Sequence, residues 1–361
     1  MCYYLFNVNK KNTSGDLLLE VKKLEEKVSS ATLPPDLKER VSASIERLNL
    51  SFKFGNYSKN LEEVSQYVDW VCSLPWAKET EDLLDLGKAR QVLDQNHYGL
   101  VQIKERLLEY LAVLKIQKER GGTKKLRAPI LCFVGLVGTG KTTLAYSIAE
   151  SMGRKFARIP FGGLGDAGFL RGRSRQLTDA EPGQIIKAVK LAGTKNPVIL
   201  LDEIDRIAEE ARSTIMGVLV ELLDPEQNER FTDYYLDYPF DLSEVLFITT
   251  ANNTTNISTA VLDRLEPMQM PSYSDEEKIV IGKNYILPKT MENMGLDNQD
   301  LEISPGVWPK IVRPLGFDAG VRTLERNIST ICRKIAKMIV EGKKEKVIVS
   351  EENLKDFLST W

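Results

Sequence analysis

The stretch Gly135-Leu136-Val137-Gly138-Thr139-Gly140-Lys141-Thr142-Thr143 fits the pattern G-x-x-x-x-G-K-[ST]. Glycines at that spacing let a backbone wrap a phosphate with its N–H groups turned inward. A helix that opens at Lys141 offers its positive end to the same anion. Lys141 can reach the β and γ phosphates, and the Thr142 hydroxyl can bind Mg2+. The pattern follows the apolar run "LCFV" and precedes a helical one. That context favours a nucleotide site over a chance glycine-rich turn.

Four more groups suit the same chemistry. In "PVILLDEIDRI" four apolar residues end in Asp202-Glu203. An acid at a strand tip can hold the water shell of Mg2+. The neighbouring carboxylate, Glu203, can polarise an attacking water, which a passive nucleotide switch does not need. The alternative is a strand followed by surface acids that cap a helix. A third strand ends in "ITTANNTT", where the Asn252 amide can orient the water or touch the γ-phosphate, unless it only forms a turn. Arg264 in "VLDRLEP" is a surface residue in a monomer but can reach a neighbour's γ-phosphate in a ring. Arg322 in "FDAGVRTLER" opens a long helix and can report the γ-phosphate to the C-terminal domain. Taken singly, either arginine reads as a salt-bridge residue.

The elements that must position these groups follow from periodicity. Five β-rich runs, "PILCFVGL", "KFARIPF", "PVILLDE", "EVLFITTAN" and "PMQMP", alternate with helical stretches. Apolar throughout, they predict an α/β fold with a parallel sheet covered on both faces. From about Asp16 to Lys78 the chain reads helical, with Leu17, Val21, Leu24 and Val28, then Leu37, Val41, Ile45 and Leu48 after the "LPPD" break. "SLPWAKETEDLLDLGKA" reads as a linker, with Asp85 or Asp82 capping the next helix. After Pro271 the chain reads helical again. Ser274 with Glu277 is a capping box, and Val321, Leu324, Ile328, Ile331, Ile335 and Ile339 line one helix face.

Composition narrows the function class. A chain of 361 residues suggests two or three domains. Lys+Arg 49 against Asp+Glu 51, net −2, argues against a dedicated nucleic-acid binder. The basic loop "KERGGTKKLR" reads as a solvated connector, with weak DNA contact as the alternative. No apolar run is long enough for a membrane span, and the "MCYYLFNVNKKNTSG" start reads as a ragged end rather than a signal peptide. Cys2, Cys72, Cys132 and Cys332 form no CxxC pair and read as reduced thiols of a cytoplasmic protein. The single histidine, His97, excludes His-rich zinc sites.

Together these motifs resemble an AAA+ ATPase: Walker A at Gly135–Thr142, Walker B at Asp202-Glu203, sensor 1 at Asn252, arginine finger at Arg264 and sensor 2 at Arg322. The connecting text is more specific. "YVDWVCSLPWAKETED", "DQNHYGLVQIKERLLEYLAV", "ELLDPEQNERFTDYYLDYPFDLSEVLFITTAN" and "AGVRTLERNISTICRKIAK" resemble the Lon family of ATP-dependent proteases over about residues 18 to 360. The resemblance implies a helical N-terminal extension (1–80), an AAA+ α/β nucleotide-binding domain (81–272) and a small α-helical lid (273–361). It implies ATP/ADP and Mg2+ as cofactors, with Mg2+ at Thr142 and Asp202, and a homohexameric ring that unfolds and threads protein substrates. It puts His97, Tyr98 and Gly99 of "HYGL" beside the adenine, and it places the protein in the cytoplasm, or in an organelle matrix if eukaryotic. A non-proteolytic AAA+ remodeller and a nucleic-acid motor are the competing readings.

Two departures qualify the resemblance. The family's Ser-Lys protease domain is expected after the lid, and the chain stops at Trp361. The isolated chain is expected to be a monomer where that domain supplies the ring contacts. The family's first pore loop pairs an aromatic with an aliphatic residue, where this chain has Leu177 and Thr178 in "RQLTDAEPG". Asp179 and Glu181 beside them are expected to form a negative collar, and weak grip on substrate is expected. The bland alternative is a surface turn.

Overall fold

The computed structural model describes residues 19–53, 59–120, 130–313, 320–343 and 345–358. Cys2, Leu17, the first fifteen residues and most of the basic "KERGGTKKLR" connector lie outside the described residues.

Helices α1 (residues 19–30), α2 (Pro35–Lys53) and α3 (Lys59–Ser73) bury the expected Val21, Leu24, Val28, Leu37, Val41, Ile45 and Leu48. Their apolar faces do not form a separate core. They run into the one that covers a face of the central sheet.

That sheet contains β1 (Ile130–Val134), β2 (Phe156–Pro160), β3 (Val198–Asp202), β6 (Leu246–Ala251) and β7 (Leu265–Gln269). All pairs are parallel, in the order β2-β3-β6-β1-β7, so the five apolar runs are the five strands. Side chains alternate between two cores, as the strand period requires. Leu131, Phe133, Val198 and Leu200 meet helices α4 (Leu86–Asn96), α5 (Val101–Glu119) and α6 (Lys141–Ser151). Cys132, Val134, Ile199 and Leu201 meet α7 (Gly168–Arg171), α8 (Gln184–Ala192) and α9 (Arg212–Leu222). Between α9 and β6 the chain makes an antiparallel hairpin, β4 (Phe231–Asp233) with β5 (Tyr238–Phe240), which the periodicity did not reveal. The short α10 (Thr259–Leu262) leads into β7.

The stretch read as a linker is hydrogen-bonded to the core. Thr80 exchanges bonds with the Asn196 side chain (2.8 and 2.7 Å), and Lys195 N donates to Lys78 O (2.7 Å). Asp85 caps α4 by accepting from Gly87 N and Lys88 N, while Asp82 instead pairs with Arg154.

The C-terminal unit has its own core, built from α11 (Asp275–Ile281), a π turn (Gly282–Ile286), α12 (Leu287–Asn293), α13 (Trp308–Val312), α14 (Arg322–Val340) and α15 (Leu354–Phe357). The Ser274–Glu277 capping box is formed, and Leu324, Ile328, Ile331 and Ile335 are buried on α14. This unit is not wholly helical. β8 (Leu301–Ile303) pairs in parallel with β9 (Val347–Val349). Three-residue strands are too short to show a period, which is why the sequence reads helical there. Cys72, Cys132 and Cys332 are free, the last two buried. Among the described residues no helix is long and apolar enough to cross a membrane.

Candidate nucleotide-binding site

The carboxyl ends of β1, β3 and β6 lie side by side, and each delivers one sequence-predicted group. β1 ends in the glycine loop. Gly138 and Gly140 have φ of +85° and +92°, the left-handed region in which a Cβ is costly. Gly135 is constrained by space instead, since a Cβ there would stand 2.7 Å from Met270 Cβ. The loop closes on itself through Thr139 Oγ1, which donates to Leu136 O at 2.9 Å. Gly140 then caps α6. Leu136 and Val137 are exposed, Thr143 Oγ1 donates to Gly140 O (2.9 Å), and Thr142 is half-buried on the first turn of α6.

Lys141 is buried, and its Nζ donates to Gly135 O (2.5 Å), Leu136 O (3.1 Å) and Asn252 Oδ1 (3.2 Å). Burial lowers its pKa, opposed by the carboxylates of Asp202, Asp205 and Glu203. Asn252, at the tip of β6, thus already touches the phosphate-loop lysine. Its Nδ2 is buried without a partner, a spare donor that needs an acceptor.

Asp202 ends β3 and is buried with both oxygens engaged. Oδ1 accepts from the Thr250 hydroxyl, and Oδ2 accepts from Arg158 Nε (2.7 Å) and a terminal guanidinium nitrogen (2.6 Å). Thr250 Oγ1 also accepts from Glu203 N at 2.8 Å, so one hydroxyl orients both acids. Glu203 has φ +60°, an uncommon conformation for a residue with a side chain. Its carboxylate leans over Gly162, where a Cβ would meet Oε2 at 3.1 Å. Arg158 and Thr250 went unnoticed in the sequence. The one visible signal is a charged residue inside the "KFARIPF" strand.

His97, Tyr98 and Gly99 line the seam between α6 and the C-terminal unit. His97 is buried, with Nε2 3.0 Å from Ser147 Oγ on α6. Burial, then the Lys104 charge, lowers its pKa to about 4, so it is neutral near pH 7. Tyr98 packs edge-on to Tyr285 at 6.5 Å, and Gly99 takes φ +64°. From the other side the C-terminal unit comes down on the glycine loop. Val321 N donates to Gly138 O (3.0 Å), and Tyr273 Oη donates to Thr139 O (3.3 Å). Arg322 is the first residue of α14 and exposed, and its backbone N lies 3.3 Å from where a Gly138 Cβ would stand.

The donor set fits a nucleoside triphosphate with Mg2+. It has a left-handed glycine cradle, a lysine at its mouth, an orphan amide donor, and one hydroxyl and one carboxylate for the metal. Among the described residues there is no cluster of three or more His, Cys, Asp or Glu suited to a metal.

Two predicted elements stand apart. Arg264 donates to Ala260 O (2.7 Å) and to Asp224 Oδ2 (3.0 Å), not to the glycine loop. Leu177 and Thr178 are exposed at the tip of the segment joining α7 to α8. Asp179 and Glu181, the acids expected to form a negative collar, are exposed and ion-paired, the first with Arg173 and the second with Lys187.

Residues 131–272 match the family "ATPase family associated with various cellular activities (AAA)", and residues 292–348 match the "Lon protease AAA+ ATPase lid domain". The chain is 44% identical to a Lon protease of Desulforamulus reducens over 331 residues, 92% of this chain and 40% of that protein. It is 44% identical to Lon protease 1 of Bacillus subtilis over 339 residues, 94% of this chain and 43% of that protein. The chain therefore spans about two fifths of the length of these curated relatives.

Proposed function

The chain belongs to the Lon protease family, of which it carries the AAA ATPase and lid region, and on that basis we propose that it binds ATP with Mg2+ and hydrolyses it to unfold and thread protein substrates. The working unit is a homohexameric ring in the cytoplasm, delivering substrate to a peptide-cleaving domain of the Lon type. Its parts are residues 1–80, 81–272 and 273–361.

The observation that carries this reading is the direct bond between Lys141 and Asn252, next to the Asp202–Thr250–Glu203 cluster. It joins the loop after β1 to the tip of β6, beside the tip of β3. In this reading the loop N–H groups and Lys141 hold the β and γ phosphates, while Thr142 and Asp202 hold the metal. Held there, Mg2+ would supply neutralisation of the phosphate charge. Glu203 takes a proton from the attacking water, Asn252 orients that water, Arg264 acts across the subunit boundary, and Arg322 couples the γ-phosphate to the lid. His97, Tyr98 and Gly99 flank the base, and Leu177 and Thr178 touch the substrate chain.

The test is Glu203→Gln, which keeps shape and removes the charge that accepts the proton. ATP binding persists and turnover falls at least about tenfold. Lys141→Ala instead loses binding. Normal turnover in the Glu203→Gln protein would remove Glu203 from the mechanism.

A further inference from the structure

Outside the nucleotide site lies another fully buried carboxylate. Asp233 ends β4 with no exposed surface. Its Oδ1 accepts from Tyr235 N (2.9 Å) and Leu236 N (3.0 Å), closing the hairpin turn. Its Oδ2 accepts from Gly183 N at 2.7 Å, fifty positions away in the chain. Burial pushes its pKa up to about 6 in spite of the three N–H donors and the Lys187 charge. Nothing in the nucleotide chemistry requires this group.

Gly183 is where the Leu177 segment rejoins α8, and Gly172 is where it leaves α7. Both must be glycine for the ends to close. A Cβ on Gly183 would lie 2.0 Å from Leu170 O, and one on Gly172 would lie 2.9 Å from either Asp233 oxygen. The hairpin also holds the end of α7, since Tyr234 N donates to Arg171 O (2.7 Å). Arg173 N bonds across the neck to Glu181 O (2.9 Å). Behind the hairpin, Tyr67 Oη donates to Leu236 O (3.2 Å), Arg40 binds Asp237, and Trp76 packs on Phe240 at 4.9 Å. The carboxylate therefore sits at the joint between a braced hairpin and the two ends of a loop with an exposed tip.

We propose that Asp233 is a positioning residue for the substrate loop: it pins the neck of residues 172–183 to the β4–β5 hairpin, so that the Leu177 tip meets an unfolded polypeptide from a rigid base. The physical gain is entropic. A loop with a fixed neck orders only its tip on contact, whereas a free one must also order its backbone, at about 1–2 kcal/mol per residue. Rigidity at the base matters more here because the tip has no aromatic ring to enlarge its contact. This inference rests on the reading of the loop as the substrate contact.

The experiment uses the 361-residue chain with ATP, Mg2+ and unfolded casein as probe. Two readouts are taken: casein-stimulated ATP turnover and amide hydrogen exchange. In Asp233→Asn, exchange at Gly183, Tyr235 and Leu236 accelerates about tenfold or more, as expected when a charged acceptor is lost. The casein concentration giving half-maximal stimulation rises at least about fivefold, set by the added ordering cost, while turnover without casein stays within twofold or so. Gly172→Ala, which presses a Cβ against Gly183 N and the Asp233 carboxylate while keeping that carboxylate's charge, shifts both readouts the same way and keeps the test valid if Asp233→Asn folds poorly. Unchanged exchange overturns the proposal. So does faster exchange with unchanged half-saturation, provided Leu177→Ser, run alongside, weakens stimulation. If Leu177→Ser leaves stimulation intact, the reading of the loop as the substrate contact fails instead.

Discussion

Asp202 shows how much a single side chain's neighbours matter. A bare carboxylate at a strand tip would be free to turn. Here Thr250 takes one oxygen and Arg158 the other, so its direction is set by strands on both sides of β3. His97 makes a second residue-scale case, with a consequence in pH. Its pKa falls from 6.5 to about 4 because burial disfavours the cation. A depressed folded-state value means that the unfolded chain binds the proton more readily. The stability involved is present above pH 6.5 and is lost as pH falls towards 4, on the order of 3 kcal/mol at most. Asp233 acts oppositely. Its raised value, about 6, makes its charge a net cost that is relieved as pH falls through 6. The loss of Tm between pH 6.5 and 4.5 is therefore smaller in His97→Gln than in the unmodified protein. Equal losses would show that His97 does not titrate in this way.

At the scale of elements, one contact that joins the two units is the start of α14 resting on the glycine loop. Gly320 makes it possible. A Cβ there would stand 2.5 Å from Gly138 C and from Val137 O, closer than any real contact allows. Gly320→Ala therefore pushes the helix start away from the loop. The lid core of Trp308, Leu324, Ile328 and Ile331 is untouched, so both units keep their folds. The expected result is a nucleotide Kd raised about tenfold, the equivalent of one or two lost hydrogen bonds, with far-UV circular dichroism unchanged. A fluorescent ATP analogue measures it. An unaltered Kd would mean that the lid contact contributes nothing to binding.

On the scale of the whole molecule, Arg264 is the informative residue. Within one chain it is held by Asp224 and Ala260 and does not bond to the glycine loop. That geometry suits a group that works across a boundary, as arginine fingers supplied in trans do. Arg264→Ala binds ATP nearly normally and hydrolyses it poorly. Mixed with Lys141→Ala protein, it recovers part of its turnover, because some interfaces then pair an intact pocket with an intact arginine. No recovery in rings proved to be mixed, for example by mass spectrometry of crosslinked oligomers, would rule out action in trans. The N-terminal helices belong to the same whole. Val21, Val41 and Val68 share a core with Val134 and Leu201 of the sheet, so the extension is built onto the ATPase unit rather than tethered to it.

The sequence by itself determined the five strands, the glycine loop, the Asp202-Glu203 tip and the helix cap at Ser274, and it narrowed the cap of α4 to Asp85 or Asp82. Each depends on a local pattern: a run covered on both faces, a left-handed turn that only glycine tolerates, or an oxygen placed two or three residues before an N–H. Tertiary structure decided what depends on distant partners. Arg158 and Thr250 join Asp202 because parallel pairing puts β2 and β6 on either side of β3. The β8–β9 pair forms between segments over forty positions apart, and neither is long enough to announce itself. Asp233 reads as one acid of the "RFTDYYLDYPF" stretch until Gly183 arrives across fifty residues. A hydrogen bond depends on where a donor ends up, and for pairs so far apart in the chain no short-range pattern records that.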